Sequence, residues 1–222
     1  MQTHENILNI PLSQLKEMPY SLGNSGIIFD RLPDILVKEL NEKVLEVQNN
    51  FEKLENKNNE LAGHLKRQYD LSPSPLFKNY INTLTNQHDY FFGTIRDCNF
   101  LNKNVPFDLT TLWVNFQEKY EFNPPHNHGG LVSFVIWHKI PYDIQKELDY
   151  FPNKPDNSSA SLFGFIASNI YGQMSTQYIP VSREFEGVIC MFPSQLFHFV
   201  NPFYTSNDYR ITVAGNVHLV VD

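Results

Sequence analysis

From Asp108 onward the apolar residues of this chain recur at alternate positions, in short runs separated by turn-forming residues. A period of two is what a strand with one buried face requires, because successive side chains leave opposite faces of the pleat. Leu109 to Gln117 reads as one strand, Glu118 to Pro125 as a turn, and Leu131–Lys139 as another strand. In the latter Val132, Phe134 and Ile136 alternate with Ser133, Val135 and Trp137. Further strands are expected around 161–166, 174–180, 187–192, 197–200 and 209–220, with a loop over Asn153–Ser159. Many short strands at this spacing lead to a sandwich or a barrel.

Ahead of Asp108 the pattern differs. Turn signals at Pro19, Gly23-Asn24 and Pro33 surround a short strand-like run, Ile27-Ile28-Phe29. Leu36, Leu40, Val44, Val47, Phe51 and Leu54 then fall on one helical face, so a helix is expected from Asp34 towards about Tyr69. Pro33 with Asp34 suits its start. The polar stretch Glu55–Glu60 interrupts it as a loop, which places Leu61-Ala62-Gly63 and Leu65 in a different element. A second helix fits Ser74–Arg96, with Phe77, Tyr80, Ile81, Leu84, Tyr90, Phe91 and Ile95 on its apolar face. The expectation is one domain over 1–222, mainly β with N-terminal helices: a helical support region at 1–107 and a β core at 108–222.

Composition narrows the function. A net charge of −7 disfavours a nucleic-acid substrate gripped through its phosphates, which needs a basic footprint. The two cysteines, Cys98 and Cys190, lack the CxxC spacing of a thiolate metal site. Cys190, inside Val188-Ile-Cys-Met-Phe192, reads as a small core residue. No basic segment followed by an apolar run opens the chain, and no stretch is apolar over the roughly 18 residues of a membrane span. A reduced, cytoplasmic protein is expected. The oligomeric state stays open, with a homodimer among the options.

Chemistry concentrates in four residues. His126 and His128, one residue apart in Asn123-Pro-Pro-His-Asn-His-Gly-Gly130, point to the same side of an extended chain. His198, from a distant strand, would complete a facial set of three ligands and leave about three positions of an octahedral metal open. Arg210 follows on the next strand, where a guanidinium can grip a carboxylate with two parallel hydrogen bonds. Each has an ordinary alternative: loop histidines, a core histidine bonded to backbone, a surface arginine. Their joint order favours a site. His4, His64 and His88 lie outside the β region and read as surface or packing residues, His138 as a structural strand-end residue, and His218 has no evident partner. Trp137, Tyr142 and Phe203 fit either a substrate mouth or core packing.

These residues also carry a resemblance. Trp113-x-Asn115, Pro125-His126-x-His128 and Ser133-x-Val135 resemble the small microbial and phage-encoded iron(II)/2-oxoglutarate-dependent oxygenases. So do Gly187-Val-Ile-Cys-Met-Phe-Pro-Ser194-x-x-x-His198-x-Val200-x-Pro202 and Arg210-Ile-Thr212. Leu61-Ala-Gly63 with Gln68-Tyr69-x-Leu71 resembles a helical-region signature of the same proteins. The resemblance implies a double-stranded β-helix (a jelly roll, cupin-like) with the metal near one open end. It further implies a hydroxylase-type dioxygenase using Fe(II) and 2-oxoglutarate and releasing succinate and CO2. His126, His128 and His198 would hold the metal. Arg210 would bind the far carboxylate with Thr212 adding a hydroxyl, and Asn115 and Ser133 would bond the cosubstrate or support a ligand.

The family at large has H-x-D or H-x-E where this chain has H-x-H. Three imidazoles leave the site one charge unit more positive than two imidazoles and a carboxylate. Two other frames remain: His128 with Gly130 at the carboxylate position, as in halogenases, and a carboxylate from elsewhere, such as Glu121. Two other functions also remain, a cupin-like three-histidine metalloenzyme without 2-oxoglutarate and a non-catalytic metal-stabilised module. The substrate, a small molecule or a peptidyl side chain, is not named by any motif.

Overall fold

The computed structural model describes residues 8, 10–22, 25–58, 63–95, 105–151, 159–169 and 171–220. Among the described residues eleven strands form two sheets: β1 (Met18–Leu22), β2 (Ser25–Arg31), β3 (Gln68–Asp70), β4 (Phe107–Gln117), β5 (Asn123–His126), β6 (Val132–Lys139), β7 (Phe163–Ser168), β8 (Met174–Ile179), β9 (Val188–Pro193), β10 (Phe197–Val200) and β11 (Arg210–Leu219). The large sheet has the order β1-β2-β9-β6-β11-β4-β3 and the small one β5-β10-β7-β8, with every pairing antiparallel. From β4 onward the chain crosses repeatedly between the sheets, which makes a double-stranded β-helix of β4 to β11. The inner strands β9, β6, β11 and β4 of the large sheet face the small sheet.

Three α-helices lie wholly within the described residues: α1 (Asp34–Gln48), α2 (Pro75–Phe92) and the short α3 (Ile144–Leu148). α1 buries Leu36, Leu40, Val44 and Val47 against the outer face of the large sheet. It stops at Gln48, well short of the expected run to Tyr69, and Tyr69 lies in edge strand β3 instead. The apolar period holds through Phe51 because that residue still packs on Tyr69 and Phe116, but it does so from a turn. α2 starts at Pro75 with the Ser74 hydroxyl accepting from the Phe77 amide, and Gly93 closes it at φ +70. Proline in the first turn, a serine cap and a left-handed glycine beyond the end are the expected helix stops.

The N-terminal region contributes more strand than its sequence pattern indicates. β1 and β2 form a hairpin that extends the large sheet through β2–β9 pairing, and β3 closes the other edge. Ile27, Ile28 and Phe29 are wholly buried, as a strand covered on both faces demands. Two apolar cores result. One lies between the large sheet and α1 and α2, around Phe77, Phe116, Phe134 and Val213. The other lies between the two sheets, around Phe29, Trp137, Phe163, Phe165, Phe192 and Phe203. Cys190 is fully buried in the second core, whereas Cys98, His4 and most of the expected 153–159 loop fall outside the described residues.

Candidate metal centre

The segment read as a turn before His126 includes strand β5, Asn123-Pro-Pro-His126. Two prolines cannot donate to a ladder, so β5 sits at the edge of the small sheet. Its pairing with β10 sets His126 directly opposite His198. His128 lies two residues further on, in the loop to β6, with its amide donating to the Ser194 carbonyl at 2.8 Å. The three rings converge: centroids are 4.3 Å apart for His126 and His198, 5.0 Å for His126 and His128, and 5.1 Å for His128 and His198. One nitrogen from each can be chosen so that all lie within 4.8 Å of one another.

Backbone bonds assign the tautomers. Nδ1 of His126 donates to the Pro124 carbonyl at 2.7 Å, and Nδ1 of His198 donates to the Leu196 carbonyl at 3.0 Å. In both rings the lone pair therefore resides on Nε2, the arrangement that orients a metal-binding imidazole. Burial pushes the pKa of His198 down to about 3 and that of His128 to about 4, with the neighbouring His126 adding to each shift. Burial also lowers the His126 pKa. The rings are neutral at pH 7, with lone pairs free for a cation. Phe192, Phe163 and Phe165 pack around His198 and hold it in place.

The loop after His128 has a backbone constraint. Gly130 has φ +107, and a Cβ there would lie 2.7 Å from the Val217 carbonyl oxygen. Only glycine fits that turn. Its glycine is thus required by the chain path, and the structure brings His126 to His128 and His198 in its place. Glu121 lies outside the cluster, with its carboxylate accepting from the Glu118 amide at 2.8 Å.

Arg210 lines the same pocket and is only 3% exposed. Its five donors are all engaged. Nε and Nη2 reach Gln117 Oε1 at 3.0 and 2.8 Å, Nη1 reaches Tyr142 Oη at 3.0 Å and the Ser161 carbonyl at 2.9 Å, and Nη2 also reaches the Asn201 carbonyl at 2.6 Å. Every one of these partners is neutral, and among the described residues no carboxylate lines the pocket. A buried cation held by neutral acceptors keeps its full attraction for an anion. An incoming carboxylate would share or displace the bonds to Gln117 and Tyr142. The sequence suggests a free guanidinium fork; the structure shows a fork already cradled.

The other expected residues divide. Thr212 is two residues along β11 from Arg210, opposite Asn115 on β4 and Trp137 on β6, and both Thr212 and Asn115 line the pocket. The Asn115 side-chain oxygen has no hydrogen-bond donor among the described residues. Ser133 also lines the pocket, but its hydroxyl is engaged with Asn216 Oδ1 at 2.7 Å and Ser194 Oγ at 3.0 Å. The Ser194 carbonyl in turn holds the His128 amide, so Ser133 is linked through Ser194 to the loop that carries His128. Tyr142 and Phe203 are 2% and 0% exposed and pack against the Arg210 guanidinium in the core between the sheets, so they support Arg210 and do not form a mouth. Trp137 lies in the core between the sheets.

Gln117 lines the pocket and holds Arg210, and the motifs do not mark it. Its side-chain amide donates to the Glu121 carbonyl at 2.5 Å, which turns Oε1 towards Arg210. The alternation that places Trp113 and Asn115 on the pocket face of β4 places Gln117 there too.

Comparison with known proteins agrees with this geometry. Residues 111–216 match the family model described as "Putative 2OG-Fe(II) oxygenase". Among solved structures, the chain is similar to a prolyl-4-hydroxylase from Pseudomonas putida at 12% identity, covering 88% of this chain and 94% of that one with a TM-score of 0.55. It is also similar to EvdMO1 at 11% identity, covering 87% of this chain and 47% of that one with a TM-score of 0.50. These likenesses establish the fold. No curated protein matches the sequence.

Proposed function

We propose that this chain, by family a 2OG-Fe(II) oxygenase over residues 111–216, is an iron(II)- and 2-oxoglutarate-dependent dioxygenase that hydroxylates a small-molecule or peptidyl substrate. The overall conversion is R–H + 2-oxoglutarate + O2 to R–OH + succinate + CO2. One observation carries the reading: a single largely apolar pocket joins three neutral imidazoles to a buried guanidinium that no carboxylate among the described residues neutralises.

The donor set fits the metal. His126, His128 and His198 would hold iron(II), and their neutrality removes any need to displace protons on binding. When bound, the metal supplies redox activation of dioxygen and open positions for a 2-keto acid. The remaining work belongs to the protein. Arg210 would take the far carboxylate of 2-oxoglutarate, with the Thr212 hydroxyl beside it and Asn115 across the sheet register. Ser133 would steady the His128 loop through Ser194. Phe134, Val135, Phe163, Val181 and Phe192 line the pocket and exclude water from the reacting atoms.

A three-histidine enzyme that ignores 2-oxoglutarate has no use for an unneutralised arginine in its pocket, which favours the dioxygenase. The Pseudomonas putida neighbour is a prolyl-4-hydroxylase, so peptidyl proline belongs in the first substrate screen. The acidic net charge argues against nucleic acid as substrate, and the single described, buried thiol suits a reducing cytoplasm. No helix among the described residues is long and apolar enough to cross a membrane. The test is succinate release from 2-oxoglutarate under air with added iron(II), alongside calorimetric binding of metal and cosubstrate. Absence of both turnover and 2-oxoglutarate binding overturns the proposal.

A further inference from the structure

Glu147 is the one acidic residue of α3 besides its caps, and it is 0% exposed. Its carboxylate has no cationic partner among the described residues. It is satisfied by the segment that follows β10: Oε2 accepts from the Tyr204 amide at 2.8 Å, and Oε1 accepts from the Thr205 amide at 2.7 Å and from the Thr205 hydroxyl. Burying an ionised carboxylate is costly unless its bonds are made, so this arrangement ties α3 firmly to the segment between β10 and β11.

Both tied segments touch Arg210. Tyr142, just ahead of the Asp143 cap of α3, receives a bond from Nη1. Asn201 and Phe203, just ahead of Tyr204, supply the carbonyl under Nη2 and a ring 5.3 Å from the guanidinium carbon. The Tyr142 and Phe203 rings pack on each other with centroids 5.3 Å apart. Ser161, a third support, receives its own amide bond from this segment, since its N–H donates to the Pro202 carbonyl at 2.9 Å. A single carboxylate therefore joins the two flanks of the cradle.

We propose that Glu147 is a positioning residue for the carboxylate-binding arginine: it sets the pose of Arg210, and through it the discrimination between keto acids with and without a far carboxylate. The inference rests on the proposed 2-oxoglutarate role of Arg210. A residue needed only for folding would weaken all keto acids alike. A positioning residue would weaken only those that Arg210 reads.

The experiment uses anaerobic, iron(II)-loaded full-length protein and calorimetry with two probes, 2-oxoglutarate and 2-oxopentanoate, which differ in the far carboxylate. Glu147→Gln is expected to reduce the affinity ratio of the two probes about tenfold by weakening 2-oxoglutarate alone, with iron(II) binding unchanged. Thr205→Ala, which removes one bond and keeps the amides, is expected to reduce the ratio about threefold, and it serves if the first variant does not fold. Ratios within twofold of wild type in the folded variants overturn the inference while leaving the site reading intact. A wild-type protein that binds the two probes equally overturns the site reading, and this inference with it.

Discussion

Replacing Gln117 by glutamate tests the electrostatic core of the argument with little change of shape. Removing Arg210 itself is a poorer probe, because it would strand Gln117 Oε1 and the Asn201 carbonyl and leave the Ser161 carbonyl only its 3.4 Å bond from the Tyr142 hydroxyl. Each orphaned acceptor costs about 1–3 kcal/mol, so folding and binding would fail together. Gln117→Glu instead keeps an acceptor 2.8–3.0 Å from Nη2 and Nε and adds a negative charge. A second carboxylate about 5 Å from that charge, at an effective dielectric of ~20, meets a repulsion of roughly 3 kcal/mol. That corresponds to a loss of 2-oxoglutarate affinity on the order of 100-fold. The variant also gives up the amide bond to the Glu121 carbonyl, for which the new ion pair compensates in part. Calorimetry on metal-loaded, oxygen-free protein reads the effect, with iron(II) binding as the control. A dissociation constant within about threefold of wild type, in a folded variant, would refute the view that Arg210 is kept unneutralised in order to bind an anion.

Three further outcomes follow from the same geometry. His198→Ala should abolish the metal-dependent rise in Tm, which for wild type at 100 times the dissociation constant is about 2.7 kcal/mol of added stability; a persisting shift would show that the ion binds elsewhere. Gly130→Ala should destabilise the fold by about 1–3 kcal/mol in urea unfolding, given φ +107 and the Val217 carbonyl 2.7 Å from the new Cβ; a neutral result would mean that the turn can relax. His88 is wholly buried between the Gly26 carbonyl and the Thr94 hydroxyl, and burial lowers its pKa from 6.5 to about 4. The folded state then takes up its proton later than the unfolded chain, so stability present above pH 6.5 is lost as pH falls towards 4, by about 3 kcal/mol. His88→Gln should flatten that limb of the stability profile, and an undiminished slope would assign the loss to other groups.

The strands from β4 to β11 were readable because alternation is local: a strand with one face in the core must repeat every second residue. The exceptions follow the same physics. β5 was hidden by Pro124-Pro125, which signal a turn in isolation and are tolerated here because β5 is an edge. β1 and β3 are only five and three residues long, too short for an alternation to stand out. The helix period past Gln48 reported burial correctly and backbone shape incorrectly, since Phe51 reaches the same core from a turn.

The linear chain also contains the chemical inventory of the site. His126-x-His128, His198 and Arg210 stand at spacings that a β-helix can bring together. What no spacing encodes is the surroundings of those groups. That Arg210 is held by Gln117, Tyr142, Ser161 and Asn201 without an acid among them depends on contacts spanning as many as 93 residues. The bonds from Tyr204 and Thr205 to Glu147 span nearly 60 positions, and nothing near either end of them announces the other. Side-chain identity is a property of the sequence, whereas the charge state, the tautomer and the freedom to bind an anion belong to the neighbours that folding supplies.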